Sequence, residues 1–401
     1  MFSASEHKNG VLGVMLKNLA LASVAILTLS LSACSSDNSQ GLDGPHISQG
    51  AFVDEREIVT LISGTKAQKH MQMFASAKGY KLREVTSLRS LGLIMLSFEM
   101  PEGTTGKQAI AELEAAISGS TVGVNHAYRE QTLNTKTSSL SYANALLNWP
   151  KSGCEVSAPI GLIDTQVDAK AAGLSNKQLI QKSFTTGSIG SSRHGTEIAS
   201  VLADPTRLRN ATLYNAAVIE ETLDAGRAAG VDSLVRALNW LIEKDIKVVN
   251  ISLAGPFNKL LDLAIKRAYE RGLIMVAAVG NAGPKAAAQY PAAFGSVIAV
   301  TAVDADGKIY REASQGPHVD IAAPGVDVLA SSAQGARFVT GTSIAVPFVT
   351  ARIAADPEMF ANAGTNRIRE RLAANSLNLG RTGPDNTYGS GLMQATGICD
   401  R

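Results

Sequence analysis

Two different hydrophobic patterns divide the chain. Between Ala51 and Gln131 short apolar runs, EIVTLI at 57–62 and LIMLSF at 93–98, read as strands. Helical spacing of apolar residues covers Thr65 to Lys78 and Lys107 to Ile117. With shorter strand-like runs at Lys81 to Val85 and Thr121 to His126, the order is strand, helix, two strands, helix, strand, which predicts a ferredoxin-like α+β module over residues 51–131. From Trp149 onward the strands become nearly continuous apolar runs: APIGLID, TLYNAAVI, KVVNISL, LIMVAAVGN and VIAVTAV. Helical stretches, HGTEIASVLA, SLVRALNWLIEK and LDLAIKRAYERG, separate them. Strands apolar on both faces and interleaved with helices predict an α/β fold with a doubly wound parallel sheet over residues 149–401. In such sheets ligands bind beyond the carboxyl ends of the strands.

The start of the chain carries a different pattern. Leu19 to Ala33, LALASVAILTLSLSA, follows Lys17, is short for a membrane span, and matches an export signal over residues 1–33, with Met1 or Met15 as initiator. Its end, Leu31-Ser32-Ala33-Cys34, resembles the lipobox of bacterial lipoproteins. That resemblance implies acylation of Cys34, a membrane anchor, and with Ser35 next in sequence an outer-membrane destination in a Gram-negative envelope. An ordinary secretory signal, giving a secreted or periplasmic protein, is the alternative. Residues 34–50 are polar and Gly/Ser-rich, as a flexible tether is. Residues 132–148, TLNTKTSSLSYANALLN, read as a linker and processing region.

Composition narrows the function classes. A chain of 401 residues with 45% hydrophobic content can bury one large core and a smaller one. A net charge of +2, from 37 basic and 35 acidic residues, gives no electrostatic footprint for nucleic acid. The three cysteines, Cys34, Cys154 and Cys399, form no CxxC or Cys/His cluster, so no thiolate metal site is expected. Cys154 and Cys399 bracket the larger domain and are either two free thiols or one staple formed in an oxidising compartment. Asp304, Asp306, Asp320 and Asp327 build no EF-hand ladder; no cofactor or obligatory metal is expected, with room left for a surface calcium.

Four positions at the ends of apolar runs carry candidate chemistry. Asp164 closes PIGLI, Asn281 follows VAAVG, His194 opens the helical stretch HGTEIASVLA, and Ser343 stands in GTSIAVP at a helix start. Singly, each has an ordinary structural use as a turn residue, a helix-start histidine or an N-cap. Pro347 is less ordinary, because it removes the N–H that would pair with the Ser343 carbonyl.

Together, the segments GLIDT, RHGTEIASVLA, NISLAGP, AAVGNAGP, IAAPG and GTSIAVPFVTA resemble the subtilisin family in order and spacing across residues 150–397. The order Asp, His, Ser is that of subtilisin and of neither chymotrypsin-like nor α/β-hydrolase enzymes. The resemblance implies a serine endopeptidase, monomeric, acting on protein or peptide substrates. In it Ser343 is the nucleophile, His194 the general base and acid, Asp164 the orienting carboxylate, and Asn281 an oxyanion donor beside the Ser343 N–H. It further implies that Ser252, Leu253, Ala254 and Gly255 form an edge for substrate backbone, and that residues 51–131 are a propeptide acting as intramolecular inhibitor, with cleavage within 131–148. The chain departs from the family pattern at Gln166, at Glu197-Ile198, and at Phe348 and Ala351. Two other readings compete: a catalytically impaired binding scaffold on the same fold, and an ester hydrolase, which the lack of a Gly-x-Ser-x-Gly elbow around Ser343 disfavours.

Overall fold

The computed structural model describes residues 52–130, 133–134, 142–156, 158–185, 187–222, 226–361 and 364–399. The signal, the tether and Cys34 lie outside the described residues, as does most of the segment 131–141.

A nine-stranded sheet forms the centre of the larger region. In spatial order its strands are Ser376–Leu377, Leu392–Met393, Ile321–Pro324, Val297–Val303, Ile274–Ala278, Val248–Ile251, Ile160–Asp164, Leu213–Ala217 and Leu179–Ser183. All neighbours run parallel except the Ser376–Leu377 edge strand, which is antiparallel. Successive residues feed opposite cores, as the two-residue period of a strand requires. Ile160, Leu162, Val276 and Val300 join the core that holds the helices Arg193–Leu202 and Thr342–Ala354. Ile163, Val249, Met275 and Ala299 join the core that holds the helices Val231–Glu243 and Lys259–Glu270. Every residue of Thr342–Ala354 is buried, which explains why most of its sequence is apolar, with Thr342, Ser343, Thr350 and Arg352 the polar exceptions.

Chain order reverses across the strands Ile160–Asp164 and Val248–Ile251: later strands add on one side, while Leu213–Ala217 lies on the other. Asp164 therefore ends a strand at the topological switch point, where an open α/β sheet leaves a crevice. Cys154 and Cys399 are disulfide-bonded, with Cα atoms 5.2 Å apart.

The N-terminal module has a four-stranded antiparallel sheet in the order Lys81–Leu88, Leu93–Glu99, Glu57–Ile62, Thr121–Val124. The helices Thr65–Ala77 and Gly106–Ala116 contribute Met71, Ala75, Ala109 and Leu113 to one face, packed on Ile58, Ile62 and Phe98. The opposite face, with Val59, Leu61, Leu93 and Met95, shares a core with the helices Val231–Glu243 and Lys259–Glu270. Polar contacts fix this docking. Asn258 caps its helix through Oδ1 on the Leu260 and Leu261 N–H groups and donates from Nδ2 to the Val124 carbonyl at 2.9 Å. Arg236 pairs with Glu84 at 2.9 Å, and Asn239 accepts from the Ser90 N–H at 2.9 Å.

The strand expected at Thr121 to His126 ends at Val124, and a new one, Ala127–Glu130, begins after Asn125 and His126. This second strand leaves the module. It runs antiparallel between Gly226–Gly230 and Leu253–Ala254, both in the larger region. Further on, Leu133 and Asn134 pair with Thr340 and Val339 of the strand Gly335–Thr340. Within the segment 142–148, Tyr142 donates from its hydroxyl to the Val326 carbonyl at 2.6 Å and Leu147 is buried in the main core.

Candidate active site

Asp164 and His194 meet at the carboxyl end of the central strand. His194 Nδ1 lies 2.6 Å from Asp164 Oδ1, with both side chains buried. Because the carboxylate can only accept, Nδ1 carries the proton, and Nε2 is the ring's basic nitrogen. A second donor, the Thr165 N–H at 2.7 Å, fixes the same carboxylate oxygen.

The histidine helix is held close to this strand by a polar layer. Thr165 Oγ1 accepts from the Gly195 N–H at 2.7 Å, and Thr196 Oγ1 accepts from the Asp168 N–H at 2.9 Å. A Cβ at position 195 would fall 2.7 Å from the Thr165 carbonyl oxygen, so only glycine permits the approach that seats His194 on Asp164. From below, Asn215 Nδ2 donates to the Thr165 carbonyl at 3.0 Å.

Ser343 occupies the second position of the helix Thr342–Ala354, buried, with its backbone N–H at the positive end of the helix dipole. Pro347 withholds the usual i+4 donor from the Ser343 carbonyl, and the Ser252 hydroxyl donates to it instead at 2.9 Å. Asn281 is oriented by Thr342. The Thr342 N–H and hydroxyl donate to Asn281 Oδ1 at 3.1 and 2.9 Å, while Thr342 Oγ1 accepts from the Gly280 N–H at 3.2 Å. The amide oxygen is thus committed to the serine helix, and the donating nitrogen is the other end of the side chain.

Of the residues read as an edge, Leu253 and Ala254 pair with Glu130 and Arg129 of the chain itself. Gly255 pairs with Tyr290 through two backbone hydrogen bonds of 2.9 Å, and Ser252 turns its side chain to the serine helix. Tyr128 is fully buried and donates from its hydroxyl to the Pro256 carbonyl at 3.0 Å. Burial and nearby Tyr290 hold that phenol protonated, with its pKa far above the ordinary value.

Glu197 accounts for one departure from the family pattern. It is 1% exposed and accepts both arms of Arg337, Nε at 2.7 Å and Nη2 at 2.9 Å, linking the histidine helix to the strand that pairs with Leu133 and Asn134. Sequence reasoning missed Arg337, the strand Gly226–Gly230, Thr165 and Thr342. The last was in view as the middle residue of Gly341-Thr342-Ser343; the GRAAG strand has no period to find. Among the described residues no group of three or more His, Cys, Asp or Glu is placed to hold a metal ion, and no helix is long and apolar enough to cross a membrane.

Comparison with known families gives a match to the subtilase family over residues 156–391, more than half of the chain. The chain belongs to the subtilase family. Among its relatives are a thermostable alkaline protease of Halalkalibacterium halodurans, 32% identical over 212 residues that cover 50% of this chain and 56% of that one. Subtilisin DY of Bacillus licheniformis is 30% identical over 249 residues, covering 58% of this chain and 88% of the relative. Fervidolysin from Fervidobacterium pennivorans, described as a keratinolytic enzyme related to subtilisin, shares the fold with a TM-score of 0.72 at 20% identity. That match covers 87% of this subtilase and 61% of fervidolysin. The chain thus spans little more than half the length of the alkaline protease and under two thirds of fervidolysin.

Proposed function

We propose that this subtilase is a serine endopeptidase made as a precursor, with Asp164, His194 and Ser343 as its triad and the N-terminal module as its inhibitor. The Asp164–His194 hydrogen bond of 2.6 Å at the switch point carries the proposal. His194 Nε2 takes the Ser343 proton as the hydroxyl attacks the substrate carbonyl, and later returns it to the leaving amine. Asp164 stabilises the imidazolium between these steps. The Asn281 amide and the Ser343 N–H hold the oxyanion.

The chain supplies its own first substrate. Its strand Ala127–Glu130 adds to the edge Leu253–Ala254 as a peptide adds to a sheet. Ala254 faces Arg129 and Leu253 faces Glu130, the last described residue before Leu133. Ser252 touches the Ser343 peptide, and Thr340, three residues before the nucleophile, faces Leu133. We infer cleavage between Gln131 and Thr132. The released module then remains as a competitive occupant of the cleft. Export, with lipid attached at Cys34 and an outer-membrane location, completes the proposal and rests on the sequence of residues 19–35; labelled palmitate incorporated by the native chain and lost in Cys34→Ala tests it.

A tagged fluorophosphonate and mass spectrometry test the catalytic reading together. Wild type is expected to take one label at Ser343 and to yield a new N-terminus at Thr132, whereas Ser343→Ala takes no label and stays intact. A wild-type protein without label, or a labelled Ser343→Ala, overturns it.

A further inference from the structure

We propose that Arg207 is a positioning residue of this peptidase: one buried cation, gripped by Asn144 of the segment 142–149, holds the histidine helix and the serine helix at the spacing the triad needs. The proposal rests on the peptidase reading above and adds a part to its machinery.

Arg207 reaches both helices with one side chain. Its Nη1 donates to the Val201 carbonyl in the last turn of the histidine helix Arg193–Leu202. Four positions on from Val201 is Pro205, which has no N–H to offer, so the guanidinium serves a carbonyl that the backbone leaves open. A cation at that end also complements the helix dipole. On the serine helix, the ring centroid of Phe348 lies 4.2 Å from the guanidinium carbon, well within cation–π range. Phe348 is one of the positions at which the chain departs from the family pattern, and its aromatic face here receives a charge.

The third hold comes from the segment 142–149. Arg207 Nε and Nη2 both donate to Asn144 Oδ1, at 3.0 and 2.8 Å, and Asn144 Nδ2 donates to Thr206 Oγ1 at 2.9 Å. The Arg207 carbonyl accepts from the Trp149 indole at 3.0 Å and from the Cys154 N–H at 2.8 Å. These residues lie on the peptidase side of the proposed cut after Gln131, so processing leaves the grip in place.

Stability alone does not call for an arginine in this place. The residue is 2% exposed, and among the described residues no carboxylate pairs with it. Burial pulls its pKa down to about 10, against the attraction of Asp204, so it keeps its charge at neutral pH. Burying a charge without an opposite one is costly, and a methionine would fill the space without that cost. Catalysis, by contrast, is sensitive to placement, an error of about 1 Å costing about a hundredfold. What Arg207 ties together is the two helices whose first turns carry His194 and Ser343.

Processed wild type, Arg207→Met, Arg207→Lys and Asn144→Ala are assayed on one fluorogenic peptide, with urea unfolding of each change in the Ser343→Ala precursor. Arg207→Met is expected to lower kcat by about tenfold or more with KM within about twofold, while its unfolding midpoint stays at or above that of its parent. Arg207→Lys, which keeps a cation over Phe348 without the fork onto Asn144, recovers part of the loss. Asn144→Ala removes the grip from a half-buried position and lowers kcat in the same direction. Slowed self-cleavage of a folded variant counts as the same loss, since it is the first turnover. An unchanged kcat in folded Arg207→Met, whatever its midpoint, overturns the assignment; if Arg207→Met fails to fold, an unchanged kcat in Asn144→Ala does so. A wild type that cleaves nothing and takes no fluorophosphonate label sinks the peptidase reading instead, so the two failures are told apart.

Discussion

The Ser252 hydroxyl donates to the Ser343 carbonyl at 2.9 Å, replacing the donor that Pro347 removes from the serine helix. One hydrogen bond thereby joins the peptide of the proposed nucleophile to the edge that receives the main chain of residues 129–130. Ser252→Ala is expected to cost about 1–2 kcal/mol in urea unfolding of the Ser343→Ala precursor, with Ser252→Thr closer to wild type. An unchanged unfolding midpoint in Ser252→Ala contradicts this.

Thr342 fixes which end of the Asn281 amide faces the serine helix. In Thr342→Val the hydroxyl that donates to Asn281 and accepts from Gly280 is lost, so the amide is no longer locked. Turnover is expected to fall about tenfold to a hundredfold, below the full loss of an oxyanion donor, with KM little changed. Thr342→Ser restores most of it. Steady-state kinetics on a peptide substrate decide the matter; a rise in KM at constant kcat goes against the assignment.

Arg337 is the counter-charge of a carboxylate that is 1% exposed. Arg337→Ala strands Glu197 inside the histidine helix and is expected to destabilise by about 3 kcal/mol. Arg337→Lys recovers part, because an ammonium cannot grip both oxygens. The double change Glu197→Val with Arg337→Leu is expected to unfold nearer to wild type than Arg337→Ala does, since it removes the charge along with its partner. Chemical denaturation of all three against wild type checks the order.

Docking of the module is expected to respond to pH through Glu57. Its Oε2 accepts from Asn125 Nδ2 at 2.7 Å, and the same amide donates to Asp232 Oδ1 at 2.9 Å, so one amide stands between two carboxylates. Ser97 donates to the other Glu57 oxygen, and Arg236 pairs with Asp232. Burial first, then the charge of Asp232, pushes the Glu57 pKa above its ordinary value, against the pull of Ser97, Asn125 and Arg83. A pKa raised in the docked state means stabilisation that is full below the ordinary glutamate value and is lost as pH rises through the raised one. The melting temperatures of the Ser343→Ala precursor with and without Glu57→Gln are therefore expected to follow different slopes with pH, the Glu57 contribution shrinking as pH rises above the ordinary glutamate value. Equal slopes for the two proteins refute it.

Much of the fold was legible because burial on both faces writes itself into a strand. EIVTLI is apolar at adjacent positions, and the structure gives the reason: Ile58 and Ile62 face the module's helices while Val59 and Leu61 face the larger region. The runs ending at Asp164 and near Asn281 are continuous for the same cause, and their ends mark where the sheet opens. Contacts joined only by the tertiary fold were not legible. Glu197 and Arg337 are 140 positions apart, and nothing local to either announces the other.

The strand Ala127–Glu130 is covalently part of the module and structurally part of the larger region. Under the proposed cleavage after Gln131, whatever the N-terminus is fastened to would keep hold of the larger region through this strand and the sheet face behind it. Tethering then ceases to be a property of the chain and becomes a residence time: the rate at which one strand peels from between two others sets both when the cleft opens and when the protein departs.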